Sequence, residues 1–117
     1  MLDDVSILIV EDEALIALDL TMTLEDEGLA VIGPCTNVRS ALENTSAADA
    51  AILDVDLKGE AVFPVADRLA QSGTPFLFHT GRKDVDILRD RYGDVPIIEK
   101  PTTPKALMAG VTGMLRA

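Results

Sequence analysis

Five short apolar runs recur along the chain, each followed by a stretch of helical spacing, and this alternation constrains the fold more than any other feature. Val5-Ser6-Ile7-Leu8-Ile9-Val10 is nearly continuous and rich in β-branched residues, as a strand buried on both faces should be. Leu29-Ala30-Val31-Ile32-Gly33, closed by Pro34, predicts a second strand, and the run over 50–53 a third. Pro75-Phe76-Leu77-Phe78-His79 predicts a fourth and Val95-Pro96-Ile97-Ile98 a fifth.

The intervening segments carry helix signals. A helix over 14–27 stops at Gly28, and Ala14, Ala17, Leu18, Thr21 and Leu24 follow its core spacing. Leu15, Ile16 and Met22 form a second apolar stripe near Asp19, which either packs on a neighbouring helix or stays exposed for a partner. Asn37 caps a short helix over 38–44 that turns Val38, Ala41 and Leu42 inward. A helix over 61–71, with Pro64 in its first turn, buries Val62, Val65, Ala66 and Leu69 and ends at Gly73. A weaker helix over 84–92 has Val85 and Leu88 as core contacts. Thr103 caps the last, with Pro104 at its first position and Leu107, Val111, Met114 and Leu115 inward.

Strand and helix alternating five times mean an α/β fold, a doubly wound five-stranded parallel sheet with helices on both faces. The flavodoxin-like order 2-1-3-4-5 is the favoured arrangement. At 117 residues, with no linker and no internal repeat, the chain is expected to be one domain over 1–117.

Charge narrows the partners. Twenty acidic residues against 10 basic leave a net charge of -10, which argues against direct nucleic-acid binding and against anionic membranes. A cationic partner or a divalent metal is easier to accommodate. The single Cys35 fits a reducing cytoplasm. Met1-Leu2-Asp3-Asp4 is unlike a secretory signal, and no apolar run reaches membrane-spanning length.

The chemistry-bearing residues fall at strand ends. In such sheets ligands bind beyond the C-terminal ends, at the switch point between the first and third strands. Strand one ends in Glu11-Asp12, strand three in Asp54, strand four in Thr80 and strand five in Lys100. Taken singly, each has a plainer reading, as a helix start, a loop residue or a surface lysine. Together they form one reactive set. Three close carboxylates repel one another, and a hard cation such as Mg²⁺ relieves that repulsion. Asp54 can act as the nucleophile of a phosphoryl transfer, with Lys100 supplying positive charge and Thr80 a hydrogen bond to a phosphoryl oxygen.

With these residues in view, the chain resembles a response-regulator receiver domain of bacterial two-component signalling. The resemblance rests on Ile7-Leu8-Ile9-Val10-Glu11-Asp12, Leu53-Asp54, Thr80-Gly81 and Lys100-Pro101. It implies phosphotransfer to Asp54 from a histidine kinase or histidine phosphotransfer protein. It implies Mg²⁺ held by Asp12, Asp54 and the Asp56 backbone carbonyl, with Glu11 acting through water, and a cis Lys100-Pro101 bond. It implies a cytoplasmic, single-domain protein that catalyses only its own phosphorylation and dephosphorylation and signals to an unknown protein target without an output domain. Gly59-Glu60, Phe63-Pro64-Val65-Ala66-Asp67 and Pro75-Phe76-Leu77-Phe78-His79-Thr80-Gly81 are similar to an alphaproteobacterial single-domain subgroup with a Phe-Ala-Thr-Gly motif.

Departures from the pattern concern the switch. Receivers usually carry an aromatic residue three positions before the lysine, where this chain has Ile97. Arg82 replaces the subgroup's aromatic after Thr-Gly, Thr102 the common Phe after Lys-Pro, and His79 a small residue. Two alternatives follow. One is a receiver-like binding module that works without phosphorylation. The other is a haloacid-dehalogenase-type phosphatase, suggested by Asp54-Val55-Asp56-Leu57, although such chains need an acidic pair after the lysine and nothing acidic follows Glu99.

Overall fold

The structure is a computed structural model that describes residues 4–116; the N-terminal stretch Met1-Leu2-Asp3, read above as unlike a signal, lies outside the described residues. In chain order the elements are β1 Ser6–Val10, α1 Ala14–Asp26, β2 Ala30–Cys35, α2 Val38–Asn44 and β3 Ala50–Leu53. A two-stranded hairpin follows, β4 Asp56–Leu57 and β5 Glu60–Ala61, then α3 Phe63–Gln71 and β6 Phe76–Thr80. A 3-10 turn, Arg82–Asp84, leads into α4 Val85–Tyr92, and β7 Ile97–Glu99 and α5 Pro104–Arg116 complete the chain.

The five main strands form a parallel sheet in the order β2-β1-β3-β6-β7, the expected 2-1-3-4-5 once the hairpin is set aside. Its centre is the pairing of β1 with β3, from Ile7 opposite Ala50 to Val10 opposite Leu53. Successive strand residues point to opposite faces, so the sheet splits the core in two. Leu8, Val10, Leu53 and Phe78 pack beneath α2, α3 and α4, against residues such as Ala41, Val65 and Leu88. Ile7, Ile9, Ile52 and Leu77 pack beneath α1 and α5, against Leu24, Leu107 and Val111. Burial of β3 on both faces explains its unbroken apolar sequence.

Three expectations are corrected. The buried face of α1 is Ala17, Leu20 and Leu24, while Ala14 is exposed and Leu18 is 53% exposed. The helix is apolar on most sides, so spacing alone does not select which stripe meets the sheet. β2 does not stop at Gly33 but runs through Pro34 to Cys35 with one extra residue, since Leu8 faces Ile32 and Val10 faces Cys35. An edge strand tolerates that proline, because no further strand asks for its missing N–H. Gly33, at φ +98°, makes the irregular step. Finally, α3 starts at Phe63 rather than at 61, because Glu60 and Ala61 pair antiparallel with Leu57 and Asp56.

The remaining caps are as expected. Asn37 Oδ1 accepts from Ser40 N at 2.8 Å and Thr103 Oγ1 from Ala106 N at 3.1 Å. The Lys100-Pro101 bond is cis, and so is Gly33-Pro34. Among the described residues no helix is long and apolar enough to cross a membrane.

Candidate functional site

Because β1 lies between β2 and β3, the crossovers leave it in opposite directions and open a crevice beyond its C-terminal end. Backbone hydrogen bonds hold Glu11, Asp54, Thr80 and Lys100 to that edge. Glu11 N donates to Cys35 O and Asp54 N to Val10 O, both at 2.9 Å. Lys100 N donates to Thr80 O, also at 2.9 Å. The side chains are thus placed by the sheet register rather than by flexible loops.

Four of the predicted residues converge. Carboxylate oxygens of Glu11, Asp12 and Asp54 lie within 4.8 Å of one another. Lys100 Nζ stands 2.9 Å from Glu11 Oε1 and 3.2 Å from Asp54 Oδ2. Asp54 Oδ1 accepts from Val55 N at 2.8 Å, and Glu11 Oε2 from Glu13 N at 3.1 Å. Glu11 and Asp54 are buried and Asp12 is half-buried.

Burial is the largest single influence on the electrostatics of this group. Burial pushes the Glu11 carboxyl up to about 7, with the charge of Asp54 adding to the effect and Lys100 opposing it. Burial also works against the Lys100 ammonium, but the Glu11 and Asp54 carboxylates outweigh it and raise its pKa above the ordinary lysine value. Three carboxylates thus share one ammonium. Three hard oxygen donors left with uncompensated charge suit a divalent cation that prefers carboxylates and water.

Asp56 is placed differently. It is exposed, and its Oδ1 accepts from Gly59 N at 2.8 Å, so its carboxylate closes the hairpin turn instead of joining the cluster. Val62 N donates to Val55 O, and alternation along an antiparallel ladder turns the Asp56 carbonyl away from its partner strand. A second aspartate serving as acid/base beside Asp54, which the phosphatase reading needs, is not what this side chain provides.

Thr80 and His79 end β6 on opposite faces. Thr80 is 2% exposed and its Oγ1 donates to Asp84 Oδ2 at 2.9 Å, a partner that the sequence reading did not single out. His79 faces α1 and α5. Both of its ring nitrogens are buried without a hydrogen-bond partner among the described residues. It lines a cavity of about 330 Å³ with Ile16, Asp19, Leu20 and Lys100. Burial, helped by the Lys100 charge, lowers its pKa to about 4, so it is neutral near pH 7.

Ile97 is half-buried beside Phe78, its partner across the sheet. The aromatic mass gathers elsewhere: Tyr92 of α4 stands 5.3 Å from Phe78 and 5.9 Å from Phe76, and its hydroxyl donates to Asp67 Oδ1 at 2.8 Å. On α1, Leu15, Leu18 and Met22 form an exposed apolar stripe, 78%, 53% and 53% accessible. Ile16, expected in that stripe, is instead half-buried.

Comparison with known proteins agrees with this fold. The family model for the response regulator receiver domain matches residues 7–112. The chain is 37% identical over 115 residues to the DNA-binding response regulator MtrA of Mycobacterium tuberculosis (strain ATCC 25618 / H37Rv), covering 94% of this chain and 50% of that protein. It thus spans about half the length of the curated relatives it matches. Among solved structures, it is similar to SdrG from Sphingomonas melonis Fr1, with 40% identity and a TM-score of 0.83 over 95% of this chain and 96% of that one. It is also similar to the signal receiver domain of a modulated diguanylate cyclase from Desulfovibrio desulfuricans G20, with 28% identity and a TM-score of 0.84 over 97% and 95% of the two chains.

Proposed function

The chain belongs to the response regulator receiver domain family, and from that premise we propose that Asp54 accepts a phosphoryl group from a phosphohistidine on a histidine kinase or histidine phosphotransfer protein. The observation that supports it most is the position of Asp54, buried between Val55 N–H and the Lys100 ammonium with Glu11 and Asp12 beside it. A purely structural domain has no use for that much unbalanced charge at one sheet edge.

In the transfer, an Asp54 carboxylate oxygen attacks the phosphorus in line with the phosphorus–nitrogen bond. That bond breaks, its electron pair returns to the ring nitrogen, and the imidazole leaves neutral because its other nitrogen carries a proton. The product is an aspartyl phosphate. Catalysis here is mainly positioning and charge neutralisation. Val55 N–H orients the Asp54 carboxylate, and Lys100 offers a compact positive charge to the phosphoryl oxygens. Asp12, Asp54 and the Asp56 carbonyl would hold Mg²⁺, with Glu11 acting through water, and the ion when bound would supply further positive charge to the phosphoryl oxygens.

The phosphorylated domain then signals by protein contact, and the chemistry stays confined to its own phosphorylation and dephosphorylation. Residues 1–117 act as a single receiver unit. The exposed Leu15, Leu18 and Met22 stripe on α1, whose Leu18 lines a pocket with Glu11 and Asp12, is the docking face for the donor's helix. Incubation with a labelled small acyl phosphate and Mg²⁺ tests the central claim. Wild type gains one phosphoryl group and Asp54→Asn gains none; equal labelling of both refutes it.

A further inference from the structure

The hydroxyl expected to sense the phosphoryl group already has an acceptor. Thr80 Oγ1 donates to Asp84 Oδ2 at 2.9 Å, inside the sheet edge where Thr80 is 2% exposed. Asp84 sits at the end of the 3-10 turn Arg82–Asp84, which its own N–H closes onto Gly81 O at 3.3 Å. It is also the residue that precedes α4, yet its side chain makes no capping bond to that helix. An aspartate at a helix start ordinarily accepts from the first free N–H groups. Here the carboxylate is turned back to Thr80.

A threonine hydroxyl has one hydrogen. It cannot donate to Asp84 and to a phosphoryl oxygen on Asp54 at the same time. Both acceptors are charged, so both bonds are of the stronger kind, and the two arrangements are close competitors. We propose that Asp84 is a positioning residue that holds the Thr80 hydroxyl away from Asp54 in the unmodified protein, so that capture of Thr80 by the phosphoryl group releases the 82–84 turn and the start of α4. This rests on the reading of Asp54 as the phosphoacceptor. Once released, the Asp84 carboxylate is free to cap α4, and one acceptor then serves two states. The device needs no rotating aromatic ring, which accounts for a switch that works with Ile97 at the usual aromatic position.

Beryllofluoride, which mimics a phosphoryl group on a carboxylate, reads the competition directly. Its apparent dissociation constant is measured with Mg²⁺ for wild type, Asp84→Ala and Asp84→Asn, each also in a Thr80→Val and a Thr80→Ser background. Amide spectra of residues 82–88 follow the turn and confirm folding. Loss of a half-exposed, charge-assisted hydrogen bond from the unliganded state should tighten binding by about tenfold in Asp84→Ala. Asp84→Asn keeps an acceptor and should fall between. Thr80→Ser keeps the hydroxyl and should preserve the gain, whereas Thr80→Val should abolish it. The turn amides of unliganded Asp84→Ala should already lie towards their liganded positions. An unchanged or weakened affinity in Asp84→Ala overturns the latch, and so does a gain that persists in Thr80→Val, which would be simple removal of negative charge. If wild type itself does not bind beryllofluoride at Asp54, the phosphoacceptor reading fails and the latch falls with it.

Discussion

Moving the metal-free domain from about pH 7.5 to about pH 5 perturbs two buried groups in opposite senses. His79 has a pKa of about 4 in the folded protein against 6.5 for the free side chain. As pH falls below 6.5, the unfolded chain takes up the proton first. The stability tied to neutral His79 is therefore complete above 6.5 and is lost on acidification towards 4. Glu11 is raised from 4.5 to about 7. Its folded carboxyl takes up the proton first, so its contribution is complete below 4.5 and is lost as pH rises through 7. Both residues are under 4% exposed, so solvent screening does not erase the effect. At pH 5, with each pK unit worth about 1.4 kcal/mol, His79 lowers the unfolding free energy by about 2 kcal/mol and Glu11 raises it by about 2 kcal/mol. In wild type the two nearly cancel. In His79→Leu only the Glu11 term remains, so acidification should stabilise that variant by about 2 kcal/mol relative to wild type. Glu11→Gln should shift by a similar amount the other way. Urea unfolding at the two pH values, in chelator, measures this. Groups distant from these two positions are common to the three proteins and drop out of the differences. Parallel pH dependence of His79→Leu and wild type would refute the assignment of a buried neutral histidine.

Three further perturbations probe the other parts of the domain. Lys100→Met leaves Glu11 and Asp54 buried without their ammonium and should lower the unfolding free energy by about 1–3 kcal/mol in chelator at pH 8, discounted because Lys100 is partly exposed. Saturating Mg²⁺ should restore most of that loss in the same urea titration; no recovery would mean that the acidic cluster holds no metal. Leu18→Lys, at a 53% exposed position on α1, should change stability by less than about 0.5 kcal/mol. It should slow transfer from a phosphohistidine donor protein about tenfold while leaving acyl-phosphate labelling alone; equal slowing of both would remove α1 as the docking face. Gly33→Ala would set a Cβ 2.6 Å from Cys35 N and 2.9 Å from Ile9 O, at φ +98°. It should cost about 2–4 kcal/mol by urea unfolding, and a loss under about 1 kcal/mol would show that the edge of β2 relaxes freely.

Much of the fold was legible because burial leaves a simple pattern wherever an element is covered on both faces. β1 and β3 are such elements, and their apolar runs marked them and their ends almost to the residue. The pattern weakens where one element's neighbours must be known first. In α1, nearly every position from Ala14 to Leu20 is apolar, so period alone did not say that Leu20 rather than Leu18 meets the sheet. The hairpin of Asp56–Leu57 with Glu60–Ala61 carries no apolar period at all, so helical spacing alone starts α3 two residues early. The continuation of β2 through Pro34 depends on that strand being at the edge, a property of the whole sheet.

The site divides along a similar line. Glu11, Asp12, Asp54 and Lys100 could be placed together from sequence because a parallel sheet aligns its strand ends, and their meeting needs only short side chains at those ends. Thr80 closes β6 at that same edge, as its place at the end of an apolar run predicts, but its hydrogen-bond partner is not legible in the sequence. Asp84 reaches back over one tight turn, and a choice among acceptors within reach of one hydroxyl is a matter of side-chain direction, on which residue spacing is silent. The same holds for Asp56, whose carboxylate takes the nearer Gly59 N–H. Topology thus places the charged groups at one edge, whereas the partner of the Thr80 hydroxyl is set by a choice among the acceptors within its reach. Such a choice is also what a small added charge can tip. On the proposed latch, a phosphoryl group at Asp54 would bring three strong acceptor oxygens to a hydroxyl with a single hydrogen, and the 82–84 turn would be the part of the molecule to answer.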